Sequence, residues 1–172
     1  MSNCGKIHYY VEGKCEKVFL DEFKSGPGAY FKPGRVDVFN FVNKEIPSQR
    51  LIALGANTTL VLVYDVDVEN SETLDFNIQK LKKAKFKKII HIQSIRNFED
   101  EIVRSTNITN INKVFNTQSV DEFKSFFVKH KDIKSKLLTF NLDLSLFWSV
   151  SNTNEPFAKY SKQKDLLFIR KK

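Results

Sequence analysis

The chain has 172 residues, 41% of them hydrophobic and 13% aromatic, with a formal charge of +8. That is the size of one ordinary domain, and the apolar content suffices for a real core, which excludes global disorder. No apolar run approaches the roughly 18 residues of a membrane span; the Lys and Arg excess favours a polyanionic partner, although a Lys-, Asn-, Ile- and Phe-rich composition gives the same charge without one.

The first apolar run, Ile7-His8-Tyr9-Tyr10-Val11, has the length and β-rich character of a buried strand. It runs straight into Glu12-Gly13. Residues 14–24 then place Cys15, Val18, Phe19 and Phe23 at helical spacing, and Ser25-Gly26-Pro27-Gly28 ends that helix. Residues 35–42 alternate around Val36 and Val38 and predict a second strand. A helix over 46–54 has Pro47 in its first turn and Gly55 at its C-terminal cap. Residues 60–64, all apolar or aromatic, predict a third strand that runs into Asp65-Val66-Asp67-Val68-Glu69. Ser71-Glu72 opens a helix carried by Leu74, Ile78 and Leu81, which ends in the lysine-rich stretch 80–88. Residues 87–92 form the fourth predicted strand.

This alternation predicts an α/β fold: a mostly parallel, Rossmann-like central sheet with helices on both faces. Beyond residue 95 the pattern loosens. A short acidic helix is expected over 98–104, and another over 120–130 with Phe123, Phe126 and Phe127 on one side. The apolar stretch 137–150, which contains Trp148, is expected to pack on the sheet. The basic end Arg170-Lys171-Lys172 reads as frayed. One domain over 1–172 is expected. Cys4 and Cys15 form neither a CxxC nor a zinc framework, and with no signal-peptide pattern they read as reduced thiols in the cytoplasm.

The two strand-end acids carry the chemistry. Carboxylates at the ends of buried strands sit where an open α/β sheet builds its site. Two Asp at i and i+2 leave a strand end on the same side, so Asp65 and Asp67 can reach one ion. Glu12 from a neighbouring strand would complete the shell or move a proton. Such all-oxygen ligands suit a hard divalent cation.

A strand-borne Glu-Gly that opens a helix, followed by a strand-borne DxD, resembles the Toprim domain. This metal-binding domain is shared by topoisomerases, bacterial primases, recombination-mediator proteins and several nucleases. Within that group the string Val11-Glu12-Gly13-Lys14-Cys15-Glu16-Lys17 is most similar to the RloB-like and OLD-type nucleases, often linked to anti-phage defence. The resemblance covers residues 5–105, and 106–172 form a helical and apolar extension expected to pack on that core. It implies acid/base or metal work for Glu12 and Mg2+ (or Mn2+) ligation by Asp65 and Asp67. Glu69 stands where some members have a third acid, usually Asp. The implied activity is metal-dependent hydrolysis of phosphodiester bonds in DNA or RNA. The modules that accompany many Toprim enzymes are missing, so a protein partner such as an ATPase is expected.

Two other classes fit the same residues. One is a catalytically silent Toprim-fold binding or regulatory module that needs a partner. The other is a DxD-type nucleotidyl- or glycosyl-transferase, which would need a nucleoside pocket; no Gly-rich phosphate loop is visible for one.

Further residues have two readings each. Glu99, in a Phe-Glu pair that RloB-like sequences also have, is either a further catalytic or ligand-supporting acid or an exposed helix start favoured by the dipole. Arg96 either touches phosphate or pairs with Glu99 or Glu101. Lys14, Lys17 and, from the lysine run, Lys83 are candidate contacts to a nucleic-acid backbone or solvated surface charges. His8 and His91 lie inside strands and are expected to pack.

Overall fold

The computed structural model describes residues 6–67, 69, 71–153 and 155–160. Four strands form one all-parallel sheet: β1 (Lys6–Val11), β2 (Arg35–Val38), β3 (Thr58–Asp65) and β4 (Lys88–Ser94), in the order β2-β1-β3-β4. The helices α1 (Lys14–Phe23), α2 (Ser48–Leu54) and α3 (Glu72–Lys83) connect them, which makes the fold α/β and Rossmann-like, as the alternation predicts. Cys4 and the basic end 170–172 lie outside the described residues. No helix among the described residues is long and apolar enough to cross a membrane.

Strand alternation divides the core in two. Tyr9 and Val11 of β1 point with Val61, Val63, Ile90 and Ile92 to one face, where α1 adds Phe19, Leu20 and Phe23. Tyr10 points with Leu60, Leu62 and Tyr64 to the other, against Leu51 of α2 and Leu74, Ile78 and Leu81 of α3. Phenylalanine carries much of the first face: Phe19 stacks on Phe147 at 4.3 Å between centroids and meets Phe98 edge-on at 5.6 Å.

Two elements differ from the sequence reading. The second strand stops at Val38, not at 42. Asn40 accepts the Asn43 N–H at 2.9 Å, a side-chain turn that breaks the run, and Phe41 and Val42 drop into the second core. Pro47 is the N-cap of α2 rather than a residue of its first turn, while Gly55 is the C-cap, with φ +76.

The C-terminal third is built from α4 (Phe98–Arg104), a short 3-10 helix (Ile111–Val114), α5 (Val120–Lys129) and α6 (Ile133–Leu138). Trp148 is fully enclosed in the first core with Phe19, Phe31 and Phe147. Its backbone is left-handed, φ +54, which is strained for a bulky residue. What holds it there is Glu101, whose Oε2 accepts the Trp148 N–H at 2.8 Å.

Candidate functional site

β1 and β3 are neighbours in register, Val11 beside Val63, so Glu12 and Asp65 leave the sheet side by side at its carboxyl edge. The contact is direct. Glu12 Oε2 accepts the Asp65 N–H at 3.2 Å, and Glu12 Oε1 accepts from Asn40 Nδ2 at 2.9 Å. The carboxylate of Glu12 is therefore fixed at both oxygens. Burial raises its pKa, with Asp67 adding to the shift and the Asp65 N–H and Asn40 opposing it.

Asp65 is the most perturbed carboxyl of the group. Burial, then the charges of Glu16 and Glu12, push it up to about 9 against a hydrogen bond from Ser94, the residue facing it on β4. Its Oδ1 is enclosed and has no hydrogen-bond partner. Asp67, two residues past the end of β3, is exposed, yet its charge reaches both Glu12 and Asp65.

The structure adds Glu16, which sequence reasoning did not assign. It lies in the first turn of α1, is 5% exposed, and is pushed up to about 7 by burial and by Glu99 and Glu12. A Cβ on Gly13 would stand 2.8 Å from Glu16 Oε2. Gly13 has φ −129, ordinary extended backbone, so its value lies in the room it leaves for this carboxylate rather than in a tight turn. The signal was present in the sequence: Glu16 is four residues after Glu12, across a helix start.

Glu99 is buried in the first turn of α4, which corrects the exposed-helix-start reading. Lys124 of α5 stands 3.4 Å from it, an ion pair that brings the C-terminal extension to the edge of the acidic group. Burial works against the Lys124 charge, but Glu99, Cys15 and Glu16 outweigh it and raise its pKa. Nothing in the local sequence marks Lys124, because the pairing joins residues far apart in the chain.

The remaining candidates fall elsewhere. Glu69 is exposed. Lys14 is exposed at the first position of α1. Lys17 binds Asp21 at 2.6 Å and the Val36 carbonyl at 3.2 Å. Arg96 is exposed in the loop after β4, with φ +67, and lies 3.8 Å from Asp100 rather than beside Glu99 or Glu101. Its carbonyl accepts the Val66 N–H at 3.2 Å, which ties that loop to the end of β3. Lys83 ends α3, and a crossover helix runs back along its strands, so Lys83 lies at the amino edge, about 18 Å of helix from the acids. Of the strand histidines, His91 is stacked on Tyr160 at 4.8 Å and bonded to the Tyr64 hydroxyl at 3.2 Å, a packing role.

Among the described residues no three His, Cys, Asp or Glu side chains stand as a ready-made cation shell. The donor chemistry nonetheless fits a hard divalent ion. The group offers only carboxylate oxygens, one of them buried and unpartnered, and its members repel each other when ionised. No protein-family model, curated protein or solved structure matches this chain.

A pH dependence follows from the same groups. The folded state raises Asp65 from 3.8 to about 9 and Glu16 from 4.5 to about 7. Their contribution to stability is full below about pH 4 and is lost as pH rises through 7 and then 9. The half-buried His91, lowered to about 4 by desolvation and by Lys82, is neutral throughout the upper part of that range. The melting temperature of the metal-free protein is therefore expected to fall between pH 7 and 9, and saturating Mg2+ is expected to flatten the fall. A melting temperature that rises over that window would contradict the acidic group as described.

Proposed function

We propose that the chain is a metal-dependent phosphodiester hydrolase of the Toprim type, acting on DNA or RNA. The observation that carries this reading is Asp65: a half-buried carboxylate beside Glu12 and Glu16, with an enclosed oxygen that has no hydrogen bond. Asp65, Asp67 and Glu16 would hold the ion, and Glu12 would share it or take a proton. A bound Mg2+ or Mn2+ supplies Lewis-acid stabilisation of the charge on the attacking and leaving oxygens and a more acidic water.

The chain's own groups do the rest. Glu12, held by Asn40 and by the Asp65 N–H, cannot swing away from the sheet edge. Its raised pKa brings it towards the range in which a carboxylate accepts a proton from water near neutral pH. Lys124 brings a positive charge to the rim, where the scissile phosphate would lie, while its pairing with Glu99 fixes its position. Ser94 restrains Asp65 from the neighbouring strand.

The direct test is to incubate the purified chain with end-labelled single- and double-stranded DNA and RNA in Mg2+, Mn2+ or EDTA. Cleavage of at least one substrate with metal, and none in EDTA, is expected. No cleavage of any substrate with either ion would contradict the hydrolase reading.

A further inference from the structure

An open cleft of about 770 Å3 runs along the β1–β2 edge, with α2 as its far wall. That volume falls within the roughly 300–1,000 Å3 usual for small-ligand sites. The chemistry of its lining is the reverse of that at the acidic edge. Among the described residues, Lys6, Arg35 and Arg50 are the cations that line it and Asp37 is the carboxylate.

Asp37 is already engaged. Its Oδ1 accepts from Arg35 Nε at 3.1 Å, and its Oδ2 lies 3.2 Å from His8 Nε2. That His8 nitrogen is enclosed and faces Asp37. Burial lowers the His8 pKa against the pull of Asp37. With three cations facing one carboxylate, the cleft has an uncompensated positive charge.

The cations are also placed in advance. The Arg50 guanidinium lies 4.7 Å over the Phe39 ring and beside the Tyr10 hydroxyl. The rim that presents Arg35 is fixed from three sides: the Tyr9 hydroxyl donates to the Lys32 carbonyl at 2.6 Å, Lys24 donates to the Gly34 carbonyl, and Gly34 packs where a Cβ would stand 2.6 Å from the Ile7 carbonyl oxygen. Arg35 uses Nε on Asp37, and its side chain is otherwise largely exposed. Two guanidinium forks beside a phenol donor match the geometry and charge of a phosphate group.

We propose that this cleft is a phosphate-binding site that takes a ligand of mononucleotide size, its phosphate held between Arg35 and Arg50. The phosphate belongs either to a free nucleotide or to the end of a nucleic-acid strand. None of the acidic-edge carboxylates lines the cleft, so the proposal stands apart from the nuclease reading.

Isothermal titration in EDTA tests it, with inorganic phosphate, adenosine 5′-monophosphate and a short 5′-phosphorylated single-stranded DNA as probes. Saturable binding of at least one probe is expected, about tenfold or more weaker in Arg50→Ala and in Arg35→Ala, the scale of one lost charge-assisted hydrogen bond. Asp65→Asn, at the other site, is expected to bind as the wild type does. Equal affinity for the mononucleotide and the oligonucleotide identifies a free nucleotide as the ligand, and a clear preference for the oligonucleotide identifies a strand end; both support the site. Arg50 is exposed on α2, so its variant is expected to keep the wild-type melting temperature and carries the test even if Arg35→Ala does not fold. No saturable binding of any probe at millimolar concentration, or arginine variants that bind like the wild type, would overturn the proposal.

Discussion

Asp65→Asn is expected to make the metal-free protein more stable at pH 8 and to remove the proposed cleavage activity. The two effects have one origin. Asp65 is held where its charge is costly: burial, Glu16 and Glu12 push its carboxyl up to about 9, and one oxygen has no hydrogen bond. An amide of the same shape removes the charge and its repulsion. The gain is on the order of 2 kcal/mol, or about 4–8 °C in melting temperature for a chain of this length. The same change removes an anionic oxygen from the proposed ion shell. Loss of outer-shell partners already costs roughly 10–100-fold, so loss of a ligand is expected to reduce cleavage by more than about a hundredfold. The fall in melting temperature between pH 7 and 9 should also shrink in this variant. A variant that is less stable than wild type at pH 8, or that cleaves at the wild-type rate, would show that Asp65 is an ordinary surface acid.

The second large effect is structural. Trp148→Ala is expected to destabilise the fold by roughly 3–5 kcal/mol, a drop of about 6–20 °C in melting temperature. The indole is fully enclosed and meets Phe147 at 4.8 Å, Phe31 at 5.7 Å and Phe19 at 6.0 Å. Its removal leaves a cavity that rigid neighbouring rings cannot fill. The residue also reaches the acidic edge, because Nε1 donates to Ser94 Oγ at 3.2 Å and Ser94 in turn restrains Asp65. Trp148→Phe separates the two roles: it keeps most of the packing and deletes the donor. Thermal melts of both variants check this. A drop below about 2 °C for Trp148→Ala would contradict the enclosed position, since buried aromatic truncations cost several times more.

The strands were legible because each is a short apolar run bounded by a break, and their alternation with helices leaves few topologies open. The acids at the strand ends were legible for the same reason: Glu12 and Asp65 mark where the apolar runs stop. What the sequence did not contain was which strands pair. The order β2-β1-β3-β4 places β1 against β3, and only that pairing brings the Asp65 N–H to Glu12.

Side chains that act over long separations were the least legible. Glu101 read as part of an acidic helix surface, or as a partner for Arg96. It is buried, paired with Arg104 at 2.7 Å, and its other oxygen accepts the Ile95 N–H at 2.9 Å. It joins the loop after β4 to Trp148, which no local pattern encodes. Lys124 and Asn40 escaped notice for the same reason, since each is unremarkable beside its sequence neighbours. The 3-10 helix and α6 are only 4 and 6 residues long, too short for periodicity to register. Their starts are instead set by the side chains of Asn110 and Asp132, each accepting a backbone N–H.

The proposed function requires the carboxyl edge of this sheet to take up a divalent cation between Glu12, Glu16, Asp65 and Asp67. Calorimetric titration of Mn2+ into the wild-type protein and into Asp65→Asn tests it most directly. Saturable binding to the wild type, at least about tenfold weaker in the variant, is the predicted result. Wild-type protein that takes up no Mn2+ at millimolar concentration, or a variant that binds it equally well, would contradict the claim.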